Sequence, residues 1–202
     1  MLYCNKEKVI IMILYTLHNN GYIDFSEKVK LFPKEKFNMY VNLTNRCNCN
    51  CTFCLRHLKD DHKLWLKDGE PSLEEIKQAF LNAPMENVAD IVICGFGEPT
   101  MRLDDLVKLL TFLQQTYPSI KVRMNTNGLS DLEYGKKTAM LFKGLLNTIS
   151  ISLNESNAEK YLEVTRSRFG IKSYKAMLDF AVDCKKLHSK CSSNYSGYYR
   201  RR

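Results

Sequence analysis

Apolar positions along this chain switch repeatedly between a period of two and a period near three and a half. MYVNL (39–43) alternates and reads as a strand that runs into a cysteine-rich loop. PSLEEIKQAFLNA follows, with Ser72 and Glu75 placed as a capping box and Ile76, Phe80 and Leu81 at helical spacing. ADIVIC (89–94) is a short apolar strand, and LDDLVKLLTFLQQ is a helix by Leu106, Leu109, Leu110 and Leu113. IKVRMN (120–125) is the third strand, and a helix through Leu141 is expected to stop at Gly144. TISISLN (148–154) is the fourth strand; Ser156 and Glu159 form a second capping box; SYKAMLDFAVDCKKLH (173–188) is the last helix. Ahead of all this, VIIMILYTL (9–17) reads as a strand, and HNNG after it is a hairpin turn. GYIDFSEKVKLFPKEKFN then reads as an inserted loop punctuated by Pro33.

Alternating strands and helices imply a parallel sheet with right-handed crossovers. Parallel strands are usually apolar on both faces. Here Met39, Val41 and Leu43 oppose Tyr40, Asn42 and Thr44, and Ile120, Val122 and Met124 oppose Lys121, Arg123 and Asn125. In the fourth strand Ile149, Ile151 and Leu153 oppose Thr148, Ser150, Ser152 and Asn154. A closed barrel fills its interior with branched apolar side chains. One apolar and one polar face instead predict a curved, partial (β/α) barrel with helices outside and a polar-lined cavity inside. After residue 188, SKCSSNYSGYYRRR shows no strand signal. The expected organisation is α/β: an N-terminal hairpin and insertion segment (1–38), a partial-barrel domain (39–188) and a disordered basic tail (189–202). The barrel would then be shortened at its C-terminal end, and the fourth strand would be an open edge.

Composition narrows the class without fixing it. Hydrophobic content of 45% and charged content of 26% are those of a globular protein, and no run is long enough to span a bilayer. The 9–17 stretch lacks a small-residue cleavage site, which argues against a signal peptide and for a cytoplasmic protein with reduced thiols. The net charge is +8, but apart from Arg200, Arg201 and Arg202 the basic residues are dispersed among acids, the pattern of a solvated surface.

Four of the eight cysteines fall in NLTNRCNCNCTFCLR (42–56): Cys47, Cys49, Cys51 and Cys54. Zinc sites usually draw thiolate pairs from separated segments, and no second C-x2-C pair exists. Cys47, Cys51 and Cys54, spaced C-x3-C-x2-C, suit an iron–sulfur cluster, whose irons each take one thiolate. Three thiolates on a four-iron cube leave one iron open. Cys4, Cys94, Cys184 and Cys191 show no partner spacing, and His57 and Trp65 read as packing or solvated residues. GFGEPT (95–100) follows the second strand, with Gly95 and Gly97 allowing close approach of a ligand and the Glu98 carboxylate able to receive a cationic amine. NTNG (125–128) and Asn154 offer amides at the ends of the third and fourth strands. All these features lie at the C-terminal ends of strands, where α/β sheets bind ligands. An iron–sulfur electron carrier without further chemistry, or a zinc-dependent nucleic-acid-binding module, remains the alternative at this point.

The C-x3-C-x2-C loop with Phe53 before its last cysteine, followed by G-x-G-E-P, resembles the radical S-adenosylmethionine (SAM) enzymes. YVNLTNRCNCNCTFCLR, CGFGEPTMRLD, MNTNG, SISLN and RSRFG are most similar to the small TatD-associated members, over roughly 39–188. The resemblance implies a 4Fe–4S cluster on Cys47, Cys51 and Cys54, with SAM chelated at the open iron. It also implies Glu98, in the Gly95-Gly97-Glu98-Pro99 turn, at the SAM ammonium and Phe53 near the adenine. Asn127, Ser152, Asn154 and Arg166 would stand at ribose and carboxylate. The implied activity is oxygen-sensitive: reductive cleavage of SAM to a 5′-deoxyadenosyl radical that takes hydrogen from a substrate. A flavodoxin or ferredoxin would supply the electron, a TatD-family hydrolase would be a functional neighbour, and a shortened chain would have impaired activity.

Overall fold

The structure is a computed structural model that describes residues 13–19, 21–58, 64–67, 69–187 and 191–194. Its strands are β1 (Leu14–His18), β2 (Gly21–Asp24), β3 (Phe37–Val41), β4 (Val88–Ile93), β5 (Lys121–Thr126), β6 (Thr148–Ser152) and β7 (Cys191–Asn194). They form one seven-stranded sheet in the order β2-β1-β3-β4-β5-β6-β7. β1 is antiparallel to β2 and β3, and every pairing from β3 to β7 is parallel.

The outer face is built as the periodicity demands. Met39, Val41, Ile91, Ile93, Val122, Met124, Ile149 and Ile151 are buried in one cluster with the helices. From α3 (Leu73–Asn82) come Ile76 and Phe80, and from α4 (Leu103–Thr116) come Leu106, Leu109, Leu110 and Leu113. The Ser72–Glu75 capping box forms in both directions. Leu81 is the exception on α3: it lies outside the apolar stripe and is exposed.

Several expectations are corrected. The segment after the hairpin is not an inserted loop: it forms β2 and α1 (Phe25–Leu31). Asp24 caps α1 by accepting from Ser26 and Glu27 N–H groups, and Phe25 and Val29 are buried. Asn87 holds the return to β3 by donating to Pro33 O and Glu35 O at 2.9 and 2.8 Å. The helix expected through Leu141 ends earlier. α5 (Ser130–Tyr134) stops at Gly135, which takes a left-handed φ of 62°. A separate 3-10 turn spans Ala139–Phe142. The second capping box is absent, because α6 (Ala158–Thr165) begins one residue later. Its cap is Asn157, accepting from Lys160 N–H at 2.9 Å.

The largest correction is at the C-terminal end. α7 (Lys172–Leu187) packs Met177, Phe180 and Cys184 inward and returns the chain to β7, which pairs with β6 over Ile149–Ser152. A fifth parallel strand therefore exists, and β6 is not an open edge. CSSN carries no apolar alternation, so the pairing comes from the backbone of β6 and the crossover of α7 rather than from side-chain pattern. Residues 1–12, 188–190 and 195–202 lie outside the described part, so the expectations for Cys4 and the arginine-rich end concern residues beyond it.

The inner face is polar only in part. Tyr15, Leu64 and Phe96 form a second buried cluster against which Tyr22 and Tyr40 pack. Tyr15 stacks on Tyr40 at 5.4 Å and meets Tyr22 edge-on at 5.5 Å. The antiparallel hairpin thus gives the inner face an aromatic wall, and the polar part begins at β5.

Candidate cluster and cofactor site

The cysteine loop leaves β3 and is held by backbone bonds on two sides. Glu98 N–H donates to Arg46 O at 2.8 Å, joining the loop after β4 to the loop after β3. Asn50 and Thr52 N–H groups donate to Thr165 O and Val164 O, and Arg168 N–H donates to Asn48 O, so the end of α6 forms the other wall. Beneath it, Asn42 Nδ2 donates to Leu64 O, and Asn45 exchanges two bonds with Leu66 at 3.1 and 3.2 Å. Arg46 forks onto Glu70 at 2.9 and 3.0 Å.

Gly95 and Gly97 serve this closure. A Cβ at Gly97 would overlap Thr44 O and Arg46 O, and one at Gly95 would overlap the Asn42 amide. The expectation was a ligand approaching these glycines. At these contacts the approaching group is the cysteine loop itself. Pro99 is buried and opens the 3-10 turn Pro99–Arg102 that leads into α4.

The four thiols of the loop are free. Cys47, Cys51 and Cys54 are partly accessible and Cys49 is buried. The Cys49 thiol hydrogen-bonds both Cys47 and Cys51, which lowers the pKa of each from the ordinary thiol value, with the nearby Arg56 guanidinium adding to it. The same two contacts, together with burial, push Cys49 far up. Arg56 also donates to Cys54 Sγ at 3.3 Å, to Asn45 O at 3.2 Å and to Cys49 O at 3.4 Å, strapping the loop from within. Cys54 is thus tied to Arg56, while Cys47, Cys49 and Cys51 form the thiol group. Among the described residues no three His, Cys, Asp or Glu side chains are gathered as a site for one metal ion. A cube carries each thiolate on a different iron, so its ligands stand farther apart than those of a single ion.

A cluster suits this donor set on a second ground. Tyr161 of α6 is fully buried, and its hydroxyl has no partner among the described residues. Burial first, and then Cys49, Cys51, Glu98 and Cys47, raise its pKa, and the ring packs in the same buried cluster as Cys49. A buried, open O–H donor in the cluster that also takes in Cys47, Cys49 and Cys51 is suited to thiolates held at a metal rather than to neutral thiols.

The other expected residues are placed as follows. Glu98 is buried, and its carboxylate takes Thr100 N–H at 3.2 Å, Thr100 Oγ1 at 2.8 Å, Thr126 Oγ1 at 2.7 Å and Asn127 N–H at 2.7 Å. Burial raises its pKa and these bonds oppose the rise. Its acceptor capacity is thus taken largely by the protein's own loops. Asn127 donates from its amide to Asn48 Oδ1 at 2.7 Å and reaches Cys47 and Cys49 Sγ at 3.9 and 3.7 Å. Asn154 is buried with a left-handed φ of 47°. Phe53 and Ser152 are half-buried, and Arg166 is exposed at the left-handed C-cap of α6. No described side-chain hydrogen bond joins Phe53, Ser152 or Arg166 to the cysteine loop. His57 bonds Asn50 at 2.9 Å, and Trp65 is exposed. Sequence reasoning missed Arg56 and Tyr161. The first looks like one more surface cation, and the second occupies a position that helical spacing assigns to the core.

The architecture is that of a partial (β/α) barrel carrying a thiol loop and a glycine turn at the C-terminal ends of adjacent strands. The chain belongs to the Radical SAM superfamily, whose model matches residues 41–200. The cofactors of this enzyme family are a 4Fe–4S cluster and SAM. A GTP 3′,8-cyclase of Paenarthrobacter nicotinovorans is 29% identical over 143 residues, covering 70% of this chain and 38% of that one. A 7,8-dihydro-6-hydroxymethylpterin dimethyltransferase of Methanocaldococcus jannaschii is 33% identical over 128 residues, 60% of this chain and 23% of that one. This chain therefore spans less than half the length of these relatives. Streptococcus suis SuiB bound to precursor peptide SuiA shares the fold, with a TM-score of 0.60 at 20% identity over 84% of this chain and 35% of that one. Among the described residues no helix is long and apolar enough to cross a membrane.

Proposed function

We propose that the chain binds a 4Fe–4S cluster through Cys47, Cys51 and Cys54 and uses it on SAM. The observation that carries this is the Glu98 N–H to Arg46 O bond, which fastens the glycine turn against the cysteine loop within one family-defining unit. When bound and reduced, the cluster supplies cleavage of SAM to methionine and a 5′-deoxyadenosyl radical. The chain's own residues hold and shield. Arg56 fixes the loop and supports negative charge at sulfur, and Tyr161 O–H, which has no partner among the described residues, is the open donor in the cluster that also takes in Cys47, Cys49 and Cys51. Asn127 bridges β5 to the loop. Phe53, Gly95, Gly97, Glu98, Pro99, Ser152, Asn154 and Arg166 belong to the SAM side of the site. Glu98 acts there by shaping the turn through Thr100, Thr126 and Asn127, so that backbone groups as well as its carboxylate meet the amino acid end of SAM.

The substrate would lie on the inner face of the sheet. A flavodoxin or ferredoxin would deliver the electron. The motifs quoted above support a place among the small TatD-associated proteins, with a TatD-family hydrolase as functional neighbour. Anaerobic reconstitution tests the reading: about four irons and four sulfides per chain, with 5′-deoxyadenosine formed from SAM and dithionite. Cys47→Ala, Cys51→Ala and Cys54→Ala should each lose the cluster, whereas Cys49→Ala should keep it. One zinc with no sulfide would sink the proposal.

A further inference from the structure

The inner face of β5 and its exit carry three polar side chains in line: Arg123, Asn125 and Asn127. Strand geometry spaces them by about 6.6 Å each. Between them, Met124 points into the outer core and Thr126 bonds Glu98. The uppermost, Asn127, is engaged with Asn48 and the thiols. The lower two are not satisfied. Arg123 Nε and Asn125 Oδ1 are both buried and lack a hydrogen-bond partner among the described residues. The Asn125 side chain does bond the Cys94 thiol, which leaves its carbonyl oxygen as the open end. Buried polar groups are almost always paired, and a donor and an acceptor left open side by side on one face call for a ligand.

Space and charge agree. Arg123 lines a cavity of about 330 Å³ at the N-terminal end of the strands together with Asp90, Lys121, Val122, Leu146 and Thr148, and Asn125 stands one same-face position above that lining. That volume is within the range of small-molecule sites. Asp90 stands in register with Lys121, so the cavity lining carries one carboxylate against two cations, Lys121 and Arg123. Directly across from Arg123 stands apolar Val92, and beyond Val92 stands Tyr40 of the aromatic wall. Val92 and Tyr40 therefore give the strand face beside Arg123 an apolar flank, and a charge-assisted bond is strong next to such a surface.

We infer that Arg123 and Asn125 form a substrate-anchoring recess for a small molecule that presents an oxyanion, carboxylate or phosphate, to Arg123 Nε–H and an N–H or O–H to Asn125 Oδ1. This rests on the function proposed above and names the class of substrate for that same site. Anchored there, a ligand has about 13 Å between Arg123 and Asn127 in which its reacting carbon can approach the cysteine loop.

The test uses the full chain, anaerobically reconstituted, and two probes that carry both groups. N-acetylglycine offers a carboxylate and an amide N–H; O-phosphoethanolamine offers a phosphate and an ammonium. Dissociation constants are read by ligand-observed NMR, and a labelled arginine Nε resonance reports contact directly. At least one probe should bind, and the tighter one identifies the oxyanion. Arg123→Gln should weaken it by about tenfold or more, and Asn125→Ala should weaken it by a smaller factor. Lys121→Gln, which removes another charge lining the same cavity, should weaken it by a smaller factor than Arg123→Gln. Failure of both probes to bind overturns the recess. So does unchanged affinity in Arg123→Gln, or equal weakening in Lys121→Gln. Probe binding needs no electron transfer. Arg123-dependent binding without 5′-deoxyadenosine formation would break the enzymatic reading alone, and the reverse result would break the recess alone.

Discussion

Two neighbouring levels of the inner face handle buried polarity in opposite ways. At the top, Glu98 receives four hydrogen bonds from Thr100, Thr126 and Asn127, and the two glycines let loop meet loop. One and two steps further down β5, Asn125 Oδ1 and Arg123 Nε have nothing to bond. The top is finished by the protein, so substitutions there should cost stability first. The middle is unfinished, so substitutions there should cost ligand affinity first. A residue's nearness to a site therefore does not say which it will affect; whether its polar atoms are already answered does.

The strongest way to break this comparison is Glu98→Ala. It strips a common acceptor from two buried hydroxyls and two N–H groups, and it should destabilise the chain by about 4 kcal/mol. Urea unfolding measures it; a loss under about 1 kcal/mol would mean that the top of the face is not closed by Glu98. Gly97→Ala comes next. Its methyl would be driven into Thr44 O and Arg46 O, at a cost of about 3 kcal/mol. Because that contact joins the glycine turn to the cysteine loop, cluster uptake should fall together with stability. A stable Gly97→Ala protein with a full iron content would show that the two loops can part without harm.

How much of this was legible varies with the kind of signal. The outer face was read almost in full, because Leu106, Leu109, Leu110 and Leu113 repeat at helical spacing and the strands alternate against them. β7 was not, because Cys191–Asn194 is held by backbone pairing and carries no pattern. α1 was hidden by its charged residues, since only Phe25 and Val29 face inward and the start is set by one Asp24 cap. In the site, the cysteine spacing announced itself. The partner of Gly97 did not, because a close approach leaves the same glycine in the sequence whether a ligand or another loop makes it. Nor did the sequence tell an ordinary core tyrosine from one whose buried hydroxyl is left open.

That last distinction gives the smallest and sharpest prediction. Tyr161→Phe keeps the ring that fills the core and removes a hydroxyl with no described protein partner. If the hydroxyl merely sits unpaired, the substitution relieves a buried polar group, and the cluster-free chain should gain up to about 1 kcal/mol in unfolding stability. If it serves the sulfurs, the reconstituted protein should respond in the opposite sense. Hydrogen bonds to cluster sulfur raise the reduction potential by stabilising the more negative reduced state, so removing one should shift the potential downward. A redox titration followed by electron paramagnetic resonance reads that shift independently of turnover. Stability gained with the potential unchanged would assign Tyr161 to the core alone. A lowered potential would make it the one residue of α6 that the packing pattern conceals and the cluster requires.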